Sequence, residues 1–406
     1  MHFQLAWRNI WRNTKRTIII MLAIIVGVWS MICLGSLLRG IINQMIQNGI
    51  ATLTGHIQVH IKGYHNDPVV ENNITDPEKI SANLKTLLPA DSRFCSRVRV
   101  NAVANNAEHT LSVTMVGIDP SHEAKVSFIG DAVKTGRYLK SNDKYGIIVG
   151  KAFAKKFETK LGRKVVLMSQ NVNQKMISKA FKIIGIYTAE MSATEEQFVF
   201  INKRTAQEML GLINGISEIS IVLTQNENFH KIAEKIKKNL PEEYEVHTWK
   251  ELLPIVTAYL TIYDGFIIMW YVVVFIAMAF GIINTTLMAI LERVREFGLL
   301  KALGMKPRWI VKSVLYESFF IVIIGLFIGN IIGLFSVLVL SVTGIDFSAF
   351  AAGSEFMGIS RVIYPDIAFK DIITANMLVF ILGILVNLYP AYKAAKFQPV
   401  EALAHT

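Results

Sequence analysis

Three histidines lie close together near the start of a long polar region. His56, His60 and His65 occur in the segment GHIQVHIKGYH, and imidazole is the side chain that most often binds a transition metal. If His56 and His60 lie on one strand, they share its polar face but are roughly 13 Å apart at about 3.3 Å per residue. One ion cannot bridge that distance without a bulge, and neither an HExxH spacing nor a cysteine pair is present. The sequence therefore predicts a solvated strand face here and no metal site.

A second segment has part of the pattern of a phosphate-binding loop. A Walker A loop needs four residues between its glycines and a Ser or Thr after its lysine, because these groups hold the phosphates and Mg²⁺. The segment GIIVGKA, residues 146–152, has three residues between its glycines and ends in Ala152. No Ser/His/Asp constellation can be singled out either. We therefore expect a non-catalytic chain with no cofactor of its own.

The 406-residue chain is more apolar than a soluble protein. It is 52% hydrophobic and 18% charged, whereas about 25% charged residues are usual in soluble domains. A helix needs about 20 apolar residues to cross a hydrocarbon core of about 30 Å, and backbone amides inside that core must be satisfied internally. These requirements predict membrane-spanning helices rather than buried helices of a soluble protein. The strongly apolar windows that lack any charged residue are 17–38, 265–291, 318–345 and 372–392.

The first window could instead be a cleaved signal peptide, since basic residues precede it. Its 22 uncharged residues exceed the usual apolar region of about 7–15 residues. No A-x-A-like cleavage site follows it, and the bulky Ile32 before Cys33 disfavours lipoprotein-type cleavage. We expect the segment to remain as an anchor.

Basic residues set the predicted topology. Four Arg and Lys residues precede the first window, and the loop 292–312 has six basic against two acidic residues. By the positive-inside rule, both termini and this loop are cytoplasmic, which is a simpler explanation of the basic lead than a nucleic-acid site. The predicted order is a cytoplasmic basic lead (1–16), transmembrane helix 1 (17–40), an extracytoplasmic domain (41–258), transmembrane helix 2 (259–291), a cytoplasmic coupling segment (292–312), transmembrane helix 3 (313–342), a short extracytoplasmic loop (343–371), transmembrane helix 4 (372–392) and a cytoplasmic tail (393–406).

The extracytoplasmic domain contains both strand and helix patterns. Apolar and polar residues alternate over 57–61 as in a half-buried strand, and apolar residues recur at helical spacing over 229–240. The fold class is therefore an α+β membrane protein: four transmembrane helices with a large extracytoplasmic α+β domain inserted between helices 1 and 2. The predicted strands are 57–61, 111–116, 165–168, 181–186, 198–201 and 219–223, and the predicted helices are 152–157, 205–212 and 229–240.

Small and polar residues inside the spans predict helix packing. Gly325, Gly329 and Gly333 form a doubled G-x-x-x-G in the third span, a spacing that exposes a backbone strip to another helix, within this subunit or across a dimer. Chance in a glycine-tolerant span is the alternative. Amide side chains are costly against lipid, so the asparagines in or near spans should face other helices: Asn284, Asn330, Asn376 and Asn387.

The coupling segment combines charge with helix signals. Residues 292–303 are helix formers except for Gly298, Gly304 is a C-terminal stop, and Pro307 begins a new helix. The result is a short elbow at the cytoplasmic face, where a soluble partner could dock and push on two spans. A simple connector between two helices is the alternative.

Several segments resemble one superfamily of membrane transport proteins. ERVREFGLLKALGMKPRWI (292–310), YPAYKAAKFQPVEALAH (389–405) and LAWRNIWRNTKRT (5–17) are similar to the coupling segment, closing motif and N-terminal lead of ABC-transporter permeases of the MacB/FtsX superfamily. Segments of the extracytoplasmic domain (41–258), called the outer domain from here on, resemble the lipoprotein-releasing LolC/LolE branch. These segments are LTGHIQVHIKGYHNDP (53–68), GIDP (117–120), IIVGKAFAKKF (147–157) and TWKELLP (248–254).

The resemblance implies a permease subunit without its own ATPase. ATP and Mg²⁺ would be bound by a dimer of separate ABC ATPase subunits, and a second permease copy, identical or paralogous, would complete the transporter in a bacterial inner membrane. It implies lipoprotein or other amphiphilic cargo. Efflux of a small amphiphile or peptide, force transmission to a cell-wall hydrolase, and a sensor without an ATPase are the alternatives. The residues it assigns to ATPase coupling are Glu292, Arg295, Glu296, Gly298, Lys301, Gly304 and Lys306.

Overall fold

The computed structural model describes residues 2–106, 108–224, 228–347, 360 and 362–397. Parts of the predicted outer loop 343–371 and of the tail 393–406 lie outside these residues. The helices are α1 (His2–Arg12), α2 (Thr14–Gly49), α3 (Pro77–Leu87), α4 (Pro120–Glu123), α5 (Ile129–Ala132), α6 (Lys151–Lys156), α7 (Ser192–Gln197), α8 (Lys203–Leu210), α9 (Phe229–Asn239), α10 (Trp249–Leu252), α11 (Pro254–Glu292), α12 (Val294–Ala302), α13 (Pro307–Thr343) and α14 (Phe369–Lys396). The strands are β1 (Ile57–Ile61), β2 (Arg93–Asn105), β3 (Thr110–Ile118), β4 (Val133–Gly136), β5 (Gly146–Gly150), β6 (Lys164–Gln170), β7 (Met176–Tyr187), β8 (Phe198–Asn202), β9 (Glu218–Val222), β10 (Tyr244–Thr248), β11 (Ile345–Asp346) and β12 (Val362–Ile363).

Among the described residues, four helices are long and apolar enough to cross a membrane. They are α2, which a π-helical turn over Ile50–Thr54 continues, together with α11, α13 and α14. At 1.5 Å per residue, the 37 residues of α13 extend about 55 Å, which exceeds a hydrocarbon core of about 30 Å. The helices therefore continue past the charge-free windows, because a charged residue marks the edge of the hydrocarbon and not the end of a helix. The predicted class, with four membrane helices and an α+β domain between the first two, is confirmed.

The glycines of α13 pack against α2 of the same chain. A Cβ atom at Gly325 would lie 2.7 Å from the Ile24 side chain. Gly329 and Gly333 face Val28 and Ile32 in the same way, each with 3.0 Å to the nearest side-chain atom. Because both ridges repeat every four residues, the glycine strip of one helix receives the β-branched strip of the other.

Amide pairs join the spanning helices. Asn330 of α13 and Asn376 of α14 exchange two hydrogen bonds of 2.6 and 2.9 Å, and the Thr286 hydroxyl of α11 donates to Asn387 Oδ1 over 3.0 Å. These contacts satisfy polar groups that lipid cannot. Asn284 is exposed in this chain and lines an open groove with basic residues of the lead, so for Asn284 the expectation stays a prediction.

The outer domain is built on one large sheet with the strand order β10-β1-β9-β2-β3-β8-β5-β7-β4, while β6 pairs with β2 and β7. Most predicted strands and helices are found within one to a few residues, including β1 and α9. Sequence patterns missed β2, whose arginines interrupt the apolar pattern, and β5, a fully buried strand formed by the glycine-rich segment 146–150. Side chains from both faces of this sheet form the main cores of the domain.

The prediction of a solvated face on β1 is wrong. Gln58 and His60 are 3% and 2% exposed. β1 lies between β10 and β9 rather than at an edge, and the Tyr64 ring stacks on His60 with centroids 5.0 Å apart. Neighbouring elements, which local alternation cannot reveal, cover the polar face.

Candidate functional site

The predicted elbow is a short helix between two sharp breaks. α11 ends at Glu292, the backbone leaves helical geometry at Arg293, and α12 begins at Val294. α12 ends in a Schellman motif: Gly304 N–H donates to the Lys301 carbonyl over 2.9 Å, and Met305 N–H donates to the Leu300 carbonyl over 2.9 Å. Gly304 has φ +92°, a conformation that favours glycine.

The next helix begins at once. Pro307 occupies the first turn of α13, where its fixed φ suits the helix and its missing N–H is not needed. The stop at Gly304 and the start at Pro307 agree with the sequence prediction, while the continuous helix over 292–303 is interrupted at Arg293 and ends at Ala302.

An apolar cluster fixes α12 to the ends of the spans. Phe297 is 3% exposed, and Gly298 is buried beside it. Phe297 belongs to an apolar cluster with residues of α11, α13 and α14, so α12 is packed against the ends of three spanning helices. The buried members of the cluster are Ile290, Phe297, Ile310, Val314, Ala391 and Ala394.

Carboxylates around the elbow bind the basic lead. Glu296 accepts two hydrogen bonds from Arg12 of α1, at 2.7 and 2.9 Å, and Glu292 pairs with Arg16. Partial burial favours the neutral acid of Glu296, but hydrogen bonds from Arg12 and Arg293 outweigh it and hold the pKa of Glu296 below its ordinary value. The lead, for which the sequence predicts only a topological role, is therefore part of the elbow.

Arg293 joins the elbow to α13. Its guanidinium donates to Glu317 over 3.0 and 3.1 Å, and the same carboxylate accepts from Asn9 over 2.7 Å. Arg293 also donates to Glu296 over 3.1 Å. Neither Arg293 nor Glu317 was among the predicted site residues, because only the fold brings Glu317 beside the break at Arg293.

Lys301 binds the end of the last span. Its ammonium donates to the carbonyls of Ala395 and Phe397, both over 2.7 Å. These carbonyls lie at the C-terminal end of α14, where helix carbonyls lack partners and the helix dipole favours a cation. Lys301 thus connects the elbow to the fourth span.

The remaining predicted residues point away from these contacts. Arg295 and Lys306 are exposed, and Leu299 and Leu303 of the same segment are 53% and 77% exposed. An open groove of about 480 Å³ lies beside them, lined by Leu300, Leu303, Gly304, Met305, Lys306, Arg308 and Trp309. The elbow therefore has an inner face that binds the spans and an outer face with apolar side chains and a basic rim.

Helix α1 has the features of an interfacial helix. Trp7 and Trp11 are 44% and 50% exposed, and Trp7 packs edge-on against Phe320 of α13, with ring centroids 5.4 Å apart. Exposed tryptophans on a basic amphipathic helix are typical of the membrane–water boundary.

In the outer domain, the end of the first span helix is held by buried side chains. The Leu53 carbonyl, in the π-helical turn, accepts from Gln58 over 3.1 Å, from Ser220 over 3.3 Å, and from Arg97. Arg97 is fully buried and forms a bidentate pair with Glu123 at 2.8 and 2.9 Å. A second carboxylate, Glu218, lies 3.1 Å from the same guanidinium.

The start of the second span helix is held in the same domain. Thr248 and Glu251 form a capping box at α10, in which Thr248 N–H donates to Glu251 over 2.8 Å. Trp249 N–H donates to the His56 carbonyl over 3.0 Å, which ties α10 to the residue before β1. α11 begins two residues after α10.

Family models account for nearly the whole chain. A model described as a MacB-like periplasmic core domain matches residues 17–239, and one described as an FtsX-like permease C-terminal region matches residues 255–399.

This chain matches curated relatives over most of their length. An uncharacterised ABC transporter permease of Methanocaldococcus jannaschii is 24% identical over 98% of this chain and 96% of its own. The lipoprotein-releasing system transmembrane protein LolC of Xylella fastidiosa is 22% identical over 72% of each chain. The macrolide export ATP-binding/permease protein MacB of Campylobacter jejuni is 23% identical over 99% of this chain and 61% of its own.

Solved structures of extracellular and periplasmic regions are similar to part of the chain. The extracellular domain of the ABC-type transporter YknZ from Gram-positive bacteria is 19% identical, covers 47% of this chain and 99% of its own, and has a TM-score of 0.34. The periplasmic region of MacB from Actinobacillus actinomycetemcomitans is 11% identical, covers 52% of this chain and 97% of its own, and has a TM-score of 0.36.

Proposed function

Because the chain belongs to the family of ABC-transporter permeases that combines a MacB-like periplasmic core domain with an FtsX-like C-terminal region, we propose that it couples ATP hydrolysis by a separate ATPase subunit to movement of its outer domain. Its own part is non-catalytic: it receives a displacement at the elbow and passes it along its helices. This role requires that both termini and the elbow lie in the cytoplasm of a bacterium. The outer domain then lies on the opposite side of the inner membrane.

The two-sided elbow is the observation that carries this proposal. Its inner face binds α1, α13 and α14 through Glu296, Arg293 and Lys301, so a push on α12 acts on several helices at once. Its outer face presents Leu299 and Leu303. Exposed apolar side chains with a basic rim suit a protein interface better than water, and an ATPase subunit is the partner that a permease of this family requires.

Coupling over a distance needs a contiguous element with two arrangements. α2 begins beside the lead and continues into the π-helical turn that Arg97 caps, and α11 begins beside the capping box and ends at the elbow. Each of these helices is therefore a candidate lever whose outer end adjoins hydrogen bonds made by the outer domain.

We favour a lipoprotein as the cargo, which the transporter would release from the membrane. Similarity to LolC and the resemblance of the outer-domain segments support it. The test is release of a radiolabelled lipoprotein from membranes of a strain with and without the gene, with a variant lacking ATP hydrolysis in the partner as a control. Unchanged release in the deletion strain excludes lipoprotein cargo.

Efflux of a small amphiphile or peptide is the second candidate, and a cavity favours it. The outer domain contains a cavity of about 460 Å³ with both apolar and polar walls, including Leu53, Met191, Phe198, Thr114 and Gln197. This volume lies within the range of about 300–1,000 Å³ that is usual for ligand sites. Drug susceptibility of the deletion strain separates efflux from lipoprotein release.

The ATPase contact can be tested by site-specific photocrosslinking. A photoreactive residue at Leu303 should capture an ATPase subunit in native membranes, whereas the same residue at exposed Tyr145 of the outer domain, 59% exposed, should not. Capture of no ATPase from Leu303 would exclude the elbow as the docking surface.

A further inference from the structure

Two neighbouring strands of the outer domain place three metal-binding side chains on one face. β1 and β10 pair antiparallel, with His60 opposite Glu245. Side chains alternate along a strand, so His247 lies on the same face as Glu245, diagonally across from His60. The sequence could not pair these residues, because β1 and β10 are separated by almost the whole domain.

The donor atoms have the spacing of an ion site. One ring nitrogen of each histidine and one carboxylate oxygen of Glu245 all lie within 4.8 Å of one another, and His247 Nε2 is 3.4 Å from Glu245 Oε1. Bonds of about 2.0–2.2 Å to a tetrahedral Zn²⁺ give ligand–ligand distances of about 3.4 Å. One edge of such a tetrahedron therefore already has this length, and the edges to the His60 nitrogen are at most 4.8 Å long.

Each histidine has one buried ring nitrogen that makes no hydrogen bond within the described part of the chain, and the one of His247 lies 3.4 Å from Glu245 Oε1. Among the described residues, His60 Nδ1 and His247 Nε2 are buried and have no hydrogen-bond partner. The His60 residue as a whole is only 2% exposed. Buried polar atoms are almost always satisfied, so two unsatisfied nitrogens beside a carboxylate require an explanation. A cation between them supplies one.

The opposite nitrogens face carboxylates. His60 Nε2 lies 3.9 Å from Glu218 Oε2, and His247 Nδ1 lies 3.5 Å from Glu251 Oε2. Histidines that bind metals commonly direct their second nitrogen to a carboxylate, which orients the ring and increases its basicity. Both rings here have a carboxylate on that side, at distances longer than a hydrogen bond.

We propose that His60 Nδ1, His247 Nε2 and a carboxylate oxygen of Glu245 bind one divalent ion of the zinc class. Two imidazoles and one carboxylate suit Zn²⁺ better than Mg²⁺ or Ca²⁺, which prefer oxygen ligands. Water occupies the fourth position. This site is independent of the proposed transport function and differs from the absence of a metal that the sequence predicts.

The ion would join the strands that adjoin both span helices. β1 follows the π-helical turn that continues α2, and β10 leads through α10 into α11. A bond from His60 to His247 through the metal adds a cross-strand link next to both connections. Because the ion binds only the folded arrangement, it should raise the thermal midpoint of the outer domain.

The test is metal binding by the full chain in detergent, after removal of metal with a chelator. Zn²⁺ is titrated against a chromophoric competitor for the wild type and for His247→Ala, Glu245→Gln and His122→Ala. His122 is the matched control, because its side chain is 69% exposed and pairs with Asp119. We expect one ion per chain. Loss of a group that only hydrogen-bonds to a metal ligand commonly weakens metal binding 10–100-fold. Loss of a ligand itself, in His247→Ala or Glu245→Gln, should therefore weaken Zn²⁺ binding at least about tenfold, whereas His122→Ala should have no effect.

Two further readouts separate loss of the site from misfolding. Without metal, the variants should have the same thermal midpoint as the metal-free wild type. Added Zn²⁺ should raise the midpoint of the wild type and of His122→Ala only. Co²⁺ in the wild type should give the visible absorption bands of a tetrahedral site, and these should disappear in His247→Ala. Wild-type protein that binds no Zn²⁺, or folded His247→Ala that binds it with unchanged affinity, would overturn the proposal.

Discussion

Substitution of Gly304 by alanine tests whether the end of the elbow controls coupling. Gly304 has φ +92°, and a Cβ atom added there meets no atom within 4 Å. Alanine is therefore penalised by backbone conformation alone, which costs roughly 1–2 kcal/mol for a residue with a Cβ atom in the left-handed region. That free energy is a factor of about 5–30 in an equilibrium constant.

A matched glycine exists in the outer domain. Gly63 also has φ +92°, and a Cβ atom added at Gly63 likewise meets no atom within 4 Å. Gly63→Ala therefore imposes the same backbone cost at a site away from the elbow. Any effect that the two variants share reports stability, and any effect confined to Gly304→Ala reports the elbow.

The assay uses the permease in lipid nanodiscs with the ATPase that co-purifies with it. In the proposed function the ATPase binds the ordered elbow, so its apparent affinity should fall with the population of that form, by up to about 5–30-fold for Gly304→Ala. Gly304→Asn should lose less affinity, because asparagine tolerates positive φ. Gly63→Ala should bind as the wild type does. Wild-type affinity and wild-type ATP-driven transport for Gly304→Ala would refute the reasoning.

Three other substitutions follow from the contacts described above. Arg12→Glu should uncouple ATP hydrolysis from transport by placing like charges at Glu296, and the double variant Arg12→Glu/Glu296→Arg should restore coupling; no rescue would mean that the ion pair is dispensable. Arg97→Met should destabilise the outer domain by about 3–5 kcal/mol in denaturant unfolding, because buried Glu123 loses its counter-ion and, among the described residues, Glu218 keeps only Arg99. Arg137→Met, at an exposed pair with Asp143, should cost about 0–1 kcal/mol, and equal losses would contradict the role of Arg97. Gly329→Ala places a Cβ atom 3.0 Å from Val28 and should lower stability in detergent by about 1–3 kcal/mol, whereas Gly265→Ala, with no atom within 4 Å, should be neutral or stabilising; a neutral Gly329→Ala would remove the α2–α13 seam as a determinant of packing.

The sequence predicted what depends on local pattern. Charge-free windows located the four spans, because the hydrocarbon excludes charge over a fixed thickness. Gly304 and Pro307 marked the end of one helix and the start of the next, since each residue limits its own backbone. Alternation over 57–61 identified β1.

The sequence could not predict what depends on register and packing. Burial of His60 follows from the position of β1 inside the sheet, and its partners Glu245 and His247 are brought there by strand pairing. The alternation of Glu245 and His247 in YEVHT was a usable signal, but nothing local identified β1 as its neighbour. Arg12 and Glu317 likewise became part of the elbow only when α1 and α13 were placed beside it.

The hydrogen bonds to the Leu53 carbonyl have a mechanical consequence. Gln58, Arg97 and Ser220 come from β1, β2 and β9, which are adjacent in the sheet. A pull along the helix that ends there is divided among neighbouring strands at the same moment, so no single bond bears the whole load. Tension on that helix should therefore stretch or tilt the sheet as one body before it tears the helix end free.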